Sequence, residues 1–131
     1  MPAPRKILLV EDDAAIACDV RLVLEKEGYH VAHVWDGNAA IAAITPQNET
    51  PDLILLNLQL GKDLDGPDTA QQLLLLGNIP ILFLYSPADL CLIKKAAPLA
   101  VYGYVDQHSL SAVLLPSVQA ALRLHETRQV A

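Results

Sequence analysis

The chain has 131 residues, a formal charge of −6 and 53% hydrophobic residues. That length suits one domain with a sizeable core, and with one Trp, one Phe and four Tyr the core must be mainly aliphatic. The acidic balance argues against nucleic acid or an anionic membrane as partner, because phosphate contacts need a basic patch. No apolar run reaches the ~18 residues of a membrane span, and the start, MPAPRK, lacks the apolar stretch of a signal peptide. A soluble cytoplasmic protein is expected.

In chain order, KILLVE (6–11) reads as a first strand. Ile16, Ala17, Val20, Val23 and Leu24 then recur at helical spacing, and Gly28 is a natural C-cap. HVAHV (30–34) alternates as an exposed or edge strand does. A short helix over 36–45 precedes Pro46. DLILLN is a third strand, apolar on both faces as an inner parallel strand should be, and it ends in Asn57. The polar loop QLGKDLDG leads to a helix over 67–76, IPILFLY (79–85) is a fourth strand, and a helix over 88–97 stops at Pro98. VYGYV (101–105) is a fifth strand. The last helix starts near Ser111 and runs into the high 120s, with Pro116 in its first turn or kinking it. Such βα alternation predicts a parallel sheet with helices on both faces. One domain over 1–131 is expected, with its core at about 5–126. Cys18 and Cys91 share no metal-like spacing and are expected to be buried, reduced thiols.

Ligands of an open parallel sheet bind beyond the C-terminal strand ends. Those ends carry Glu11, Asp12 and Asp13; Asn57; Tyr85 and Ser86; and Asp106 and Gln107. Carboxylates among oxygen donors suit a hard cation such as Mg²⁺, although spacing alone favours a solvated acidic loop that also caps the first helix.

The stretches KILLVEDDAAIA, PDLILLNLQLGKDLDGPDTA, IPILFLYS and VYGYVDQHSLSAVL resemble the receiver domain of bacterial two-component response regulators. The resemblance covers roughly residues 5 to 126. It implies an α/β, flavodoxin-like three-layer sandwich with a five-stranded parallel sheet of order 2-1-3-4-5 and five helices. It also implies a place in phosphorelay signalling, where a histidine kinase passes a phosphoryl group to an aspartate and the domain is not itself an enzyme. Carried over by position, the acidic pocket falls on Glu11 and Asp12, the phosphoacceptor on Asn57 and the metal-binding main-chain carbonyl on Gln59. The hydroxyl switch position falls on Tyr85, the aromatic switch on Tyr104 and the lysine on Gln107, with His108 in place of the usual Pro.

Three of these positions depart from the pattern. Asn57 is neutral, its nitrogen lone pair is delocalised, and it cannot form an acyl phosphate. Gln107 can hydrogen-bond but cannot neutralise a phosphoryl group. The hydroxyl of Tyr85 lies too far from the backbone to replace that of a threonine, and Ser86 is expected to face the other side of the strand. The Asp and Lys losses are electrostatically matched: dropping the lysine alone would leave three carboxylates unpaired, at about 3 kcal/mol per pair for ~5 Å and an effective dielectric near 20. Losing both leaves only Glu11 and Asp12, which are expected to share solvent. An Asp-to-Asn mutant of a working receiver would have kept its Thr and Lys.

The expected role is therefore a degenerate, phosphorylation-independent protein-interaction module. No cofactor is required, and Mg²⁺ at Glu11, Asp12 and Gln59 is weak if present. The partner expected from the resemblance is a histidine kinase, an output domain, another regulator or a second copy, met through the fourth helix, fifth strand and fifth helix. The alternative is a switch answering a ligand, a metal or a different acceptor at the acidic edge. DLDG (63–66) partly resembles a calcium loop but lacks the further acidic residue upstream and the Glu six after its Gly, where Gln72 stands. His30, His33, His108 and His125 do not cluster in sequence. A flavin phosphate would be repelled by Glu11-Asp12-Asp13. Tyr104 is expected to point outward, with bulky Tyr85 blocking the inward position.

Overall fold

The computed structural model describes residues 4–61 and 63–129. Three expectations fall partly outside it: the MPA of the leader reading, Lys62 of the polar loop and the final VA. Ten elements alternate strictly: β1 (Lys6–Val10), α1 (Ala14–Lys26), β2 (His30–Val34), α2 (Gly37–Ala43), β3 (Leu53–Asn57), α3 (Gly66–Leu76), β4 (Ile81–Tyr85), α4 (Leu90–Ala96), β5 (Gly103–Asp106) and α5 (Leu110–Gln129). The strands form one parallel sheet in the order β2-β1-β3-β4-β5. This is the three-layer, flavodoxin-like architecture expected, with each element within a few residues of its predicted span.

The two-residue period of a strand divides the aliphatic side chains between two cores. Ile7, Leu9, Leu53, Leu55, Leu82, Leu84 and Val105 face Val20 and Leu24 of α1 and Leu114 and Val118 of α5. Leu8, Val10, Ile54, Leu56, Ile81 and Phe83 face Ala40 of α2, Ala70 and Leu73 of α3 and Ala96 of α4. All five residues of β3 are buried, as a central strand covered on both sides requires. Each fully buried Leu or Ile contributes about 1.5–3 kcal/mol through burial. β2, at the sheet edge, keeps its expected alternation, with Val31 inward and His30 and Ala32 exposed.

Local chemistry sets the helix starts. Asp13 accepts from the backbone N–H groups of Ala15 and Ile16, Asp36 from Ala39 and Asp65 from Asp68, satisfying donors that helix geometry leaves unpaired. Gly28 takes a left-handed φ of 91° just past α1, where a side chain would be strained. Pro116 is the seventh residue of α5, not part of its first turn. It leaves the Ala112 carbonyl without its helical donor, and both residues are exposed, so water can reach that oxygen.

The cysteine expectation needs correction. Both thiols are free, as expected, but both are exposed. The inward face of α1 is Ala17, Val20 and Leu24, and Cys18 lies roughly 100° around the helix from Ala17. Apolar character alone did not reveal which way these residues turn.

Below the C-terminal edge of the sheet, α3 enters against β3. A Cβ on Gly66 would lie 2.4 Å from the Asn57 carbonyl oxygen and 2.5 Å from the Leu58 Cα. Both are backbone atoms and cannot swing aside. Gly66→Ala is expected to destabilise the fold by about 3 kcal/mol or more, seen as a lower urea midpoint. A midpoint unchanged from that of the parent would contradict this packing.

Candidate functional site

The strand order reverses between β1 and β3, so a crevice opens at their C-terminal ends. The register pairs Val10 with Leu56, which sets Glu11 beside Asn57. The β4 and β5 ends lie alongside, with Tyr85 opposite Asp106. The resulting cleft of about 270 Å³ is lined by residues that include Glu11, Asp12, Asn57, Gln59, Ser86 and Gln107.

A hydrogen-bond network fills its floor. The Asn57 Nδ2 donates to Glu11 Oε1 at 2.6 Å and reaches Gln107 Oε1 at 3.5 Å. The Asn57 Oδ1 accepts from the Gln59 backbone N–H at 2.9 Å. Glu11 Oε2 accepts from the Asp13 N–H at 3.1 Å, and His33 Nε2 contacts the Glu11 carbonyl at 2.8 Å. Asn57 thus uses donor and acceptor together, which a carboxylate could not do.

Glu11 was expected to share solvent with Asp12, but it is fully buried while Asp12 is exposed. Its place at the end of an inner strand, roofed by Asn57 and the Asp13 turn, removes it from water. Burial is the main cause that pushes its carboxyl from 4.5 up to about 7, with the Asn57 and Asp13 hydrogen bonds pulling back and neighbouring Asp12 adding to the rise.

Tyr85, at the expected hydroxyl position, does not line the cleft; contrary to expectation, Ser86 does. Its N–H donates to Asp89 Oδ2 at 2.9 Å, and its Oγ lies 3.5 Å from His108 Nε2. Tyr85 instead packs on the α3–α4 side of the sheet, with its ring edge-on to Tyr104 at 6.3 Å. Tyr104 remains 38% exposed, with its ring 5.5 Å from that of Phe83, the outward position expected. Buried Asp89 and the His33 contact were not anticipated. The Ser86–Asp89 spacing of a tight turn was the available signal for the first; the second depends on pairing between strands distant in sequence.

Among the described residues, no three His, Cys, Asp or Glu side chains gather as a metal site. Both Glu11 oxygens and the Asn57 Oδ1 already accept hydrogen bonds, and Asp12 is the one exposed carboxylate of the pair.

Two expectations follow from this geometry. The folded-state value of Glu11 lies above its unfolded one, so folding takes up a proton. Its contribution favours the fold most below about pH 4.5 and is lost as pH rises toward 7. Urea unfolding should show stability falling across that window, and Glu11→Gln should flatten the fall by about 1–3 kcal/mol; equal slopes would contradict a buried, raised carboxyl. Asn57→Asp would set a second carboxylate against Glu11. It should cost about 1–3 kcal/mol at pH 8, with part recovered by adding Gln107→Lys in a double-mutant cycle. An Asn57→Asp variant as stable as the parent would contradict the network.

The family model for the response regulator receiver domain matches residues 7–119. The DNA-binding response regulator MtrA of Mycobacterium tuberculosis is 30% identical over 122 residues, which are 93% of this chain and 52% of that protein. The transcriptional regulatory protein PdtaR of the same organism is 27% identical, over 91% of this chain and 57% of its own. The chain spans about half the length of these curated relatives. Among solved structures, the N-terminal domain of a response regulator/sensory box/GGDEF protein from Carboxydothermus hydrogenoformans aligns with a TM-score of 0.87 and 34% identity, over 95% of this chain and 98% of that one. The Mn²⁺-bound response regulator Rcp1 aligns with a TM-score of 0.69 and 27% identity, over 92% and 91%. With this match, sheet order and cleft, the chain belongs to the response regulator receiver family, and Asn57 stands where the family carries its phosphoacceptor aspartate.

Proposed function

We propose that this is a receiver-like domain, with its core at about residues 5–126, that signals in a two-component or phosphorelay context without being phosphorylated. The observation that carries the reading is the 2.6 Å hydrogen bond from the Asn57 amide to buried Glu11. It occupies the acceptor position with a group that has no nucleophilic oxygen anion and ties that group into the floor of the site. Gln107, at the lysine position, supplies an amide oxygen 3.5 Å away instead of an ammonium. Mg²⁺ is held weakly if at all, because Glu11 is buried and hydrogen-bonded and Asn57 is neutral, which leaves Asp12 as the one exposed carboxylate. The absence, among the described residues, of a helix long and apolar enough to cross a membrane supports a cytoplasmic placement.

Binding a protein is the work left to such a domain. The surface of α4, β5 and α5 carries Leu90 at 57% exposure, Tyr104 at 38% and Val113 at 36%, with exposed Lys94 and Lys95 at the end of α4. Lys95 is paired with Asp65 and Asp68, and aromatic and aliphatic side chains beside Lys94 suit a protein partner: a histidine kinase, an output domain, another regulator or a second copy.

Acetyl phosphate with Mg²⁺ is expected to leave the intact mass unchanged. A stoichiometric, hydroxylamine-labile phosphoryl adduct would contradict the proposal, and mapping an adduct to His108 or Ser86 would favour a different acceptor. With the domain as bait for native partners, Leu90→Asp and Tyr104→Ala should each reduce capture. Undiminished capture by both would remove this surface from the proposal.

A further inference from the structure

A second exposed apolar surface lies away from α4, β5 and α5. Ala14, Cys18 and Leu22 fall at every fourth position of α1, a spacing that places them on one stripe. Opposite them stands Trp35, just past the edge strand β2. With Ala17, Arg21, Glu25 and His33 they line a groove of about 320 Å³. Leu22 is 65% exposed and Trp35 51%. The indole is not loose. Its ring packs on that of His33 at 4.3 Å, and His33 is held by the Glu11 carbonyl at 2.8 Å. A pre-ordered tryptophan beside an exposed leucine is the kind of anchor on which interfaces concentrate their energy.

The charges decide the occupant. Arg21 and Glu25, an i,i+4 pair 3.5 Å apart, lie along the groove. A patch carrying one cation next to one anion is complementary to itself: a twofold axis sets each Arg21 against the Glu25 of the other copy while the apolar stripe and Trp35 meet across it. Leu75, exposed at 79%, and Leu76, at 50%, border a groove whose charged side chain is Arg128, so a twofold axis there would oppose like charges. We propose that the α1–β2 groove is the contact face for a second copy of this chain, forming a symmetric dimer that leaves the α4, β5 and α5 surface free.

Sedimentation equilibrium of the whole chain is expected to show a monomer–dimer equilibrium that dissociates on dilution. Leu22→Asp should abolish the dimer, and Trp35→Ala should weaken it about thirtyfold. Arg21→Glu alone and Glu25→Arg alone should each weaken it about tenfold, and the two together should restore it. Leu90→Asp should leave it unchanged. All these positions are exposed or partly exposed, and each variant is to be checked for folding by circular dichroism. A chain that stays monomeric up to about 1 mM, or a dimer that survives Leu22→Asp and Trp35→Ala but is lost with Leu90→Asp, would overturn the proposal. Neither result bears on whether residue 57 takes up phosphate, which the mass measurement decides separately.

Discussion

The hydrogen bond from the Asn57 amide to the buried Glu11 carboxyl is the constraint around which the crevice is organised. It joins the ends of β1 and β3 at the point where the strand order reverses. In a receiver that takes up phosphate, this position must hold a charge, a metal and a leaving group in turn, and it needs an ammonium to balance them. Here a neutral amide donates to one strand end and accepts from the Gln59 N–H, so no cation is needed to balance it. The neutral side chains of Asn57 and Gln107 form one electrostatic arrangement. Placing an aspartate or a lysine there alone would create a charge that the other would have balanced.

Burial of Glu11 follows from the same arrangement. A carboxyl with no exposure gains little from ionising when its nearest donor is an amide, so its proton affinity rises toward neutrality. The acidic rim is therefore less anionic than its sequence suggests: Asp12 is exposed, Asp13 caps α1, and burial raises the proton affinity of Glu11. Divalent cations prefer fully charged, available oxygens. The rim keeps carboxylates at Glu11 and Asp12, and the Glu11 oxygens are held by Asn57 and the Asp13 N–H.

Much of the fold was legible because its signals repeat. Ile54, Leu55 and Leu56 fall inside a short apolar run bounded by polar residues, and five such runs alternating with helical spacing leave few topologies. The strand ends were legible too, which is why Glu11, Asn57 and Gln107 could be assigned to one edge. What escaped was orientation at the places where regular structure stops. Tyr85 and Ser86 sit at the end of β4, and no local pattern showed which of the two enters the cleft. Cys18 sits on a helix whose neighbours Ala17 and Ala14 are equally apolar, and hydropathy could not show which faced inward. The burial of Glu11 depends on its register against β3, which no local pattern encodes. Lys62, in the loop after β3, lies outside the described residues.

The most direct measurement is an amide NMR spectrum of the domain before and after addition of Mg²⁺ and beryllofluoride, which binds an aspartate acceptor in the manner of a phosphoryl group. The account predicts unchanged resonances for residue 57 and for Tyr85 and Tyr104. Saturable shifts at these positions, spreading to α4 and β5, would contradict it by showing that the site still accepts a phosphoryl-like group and transmits its presence.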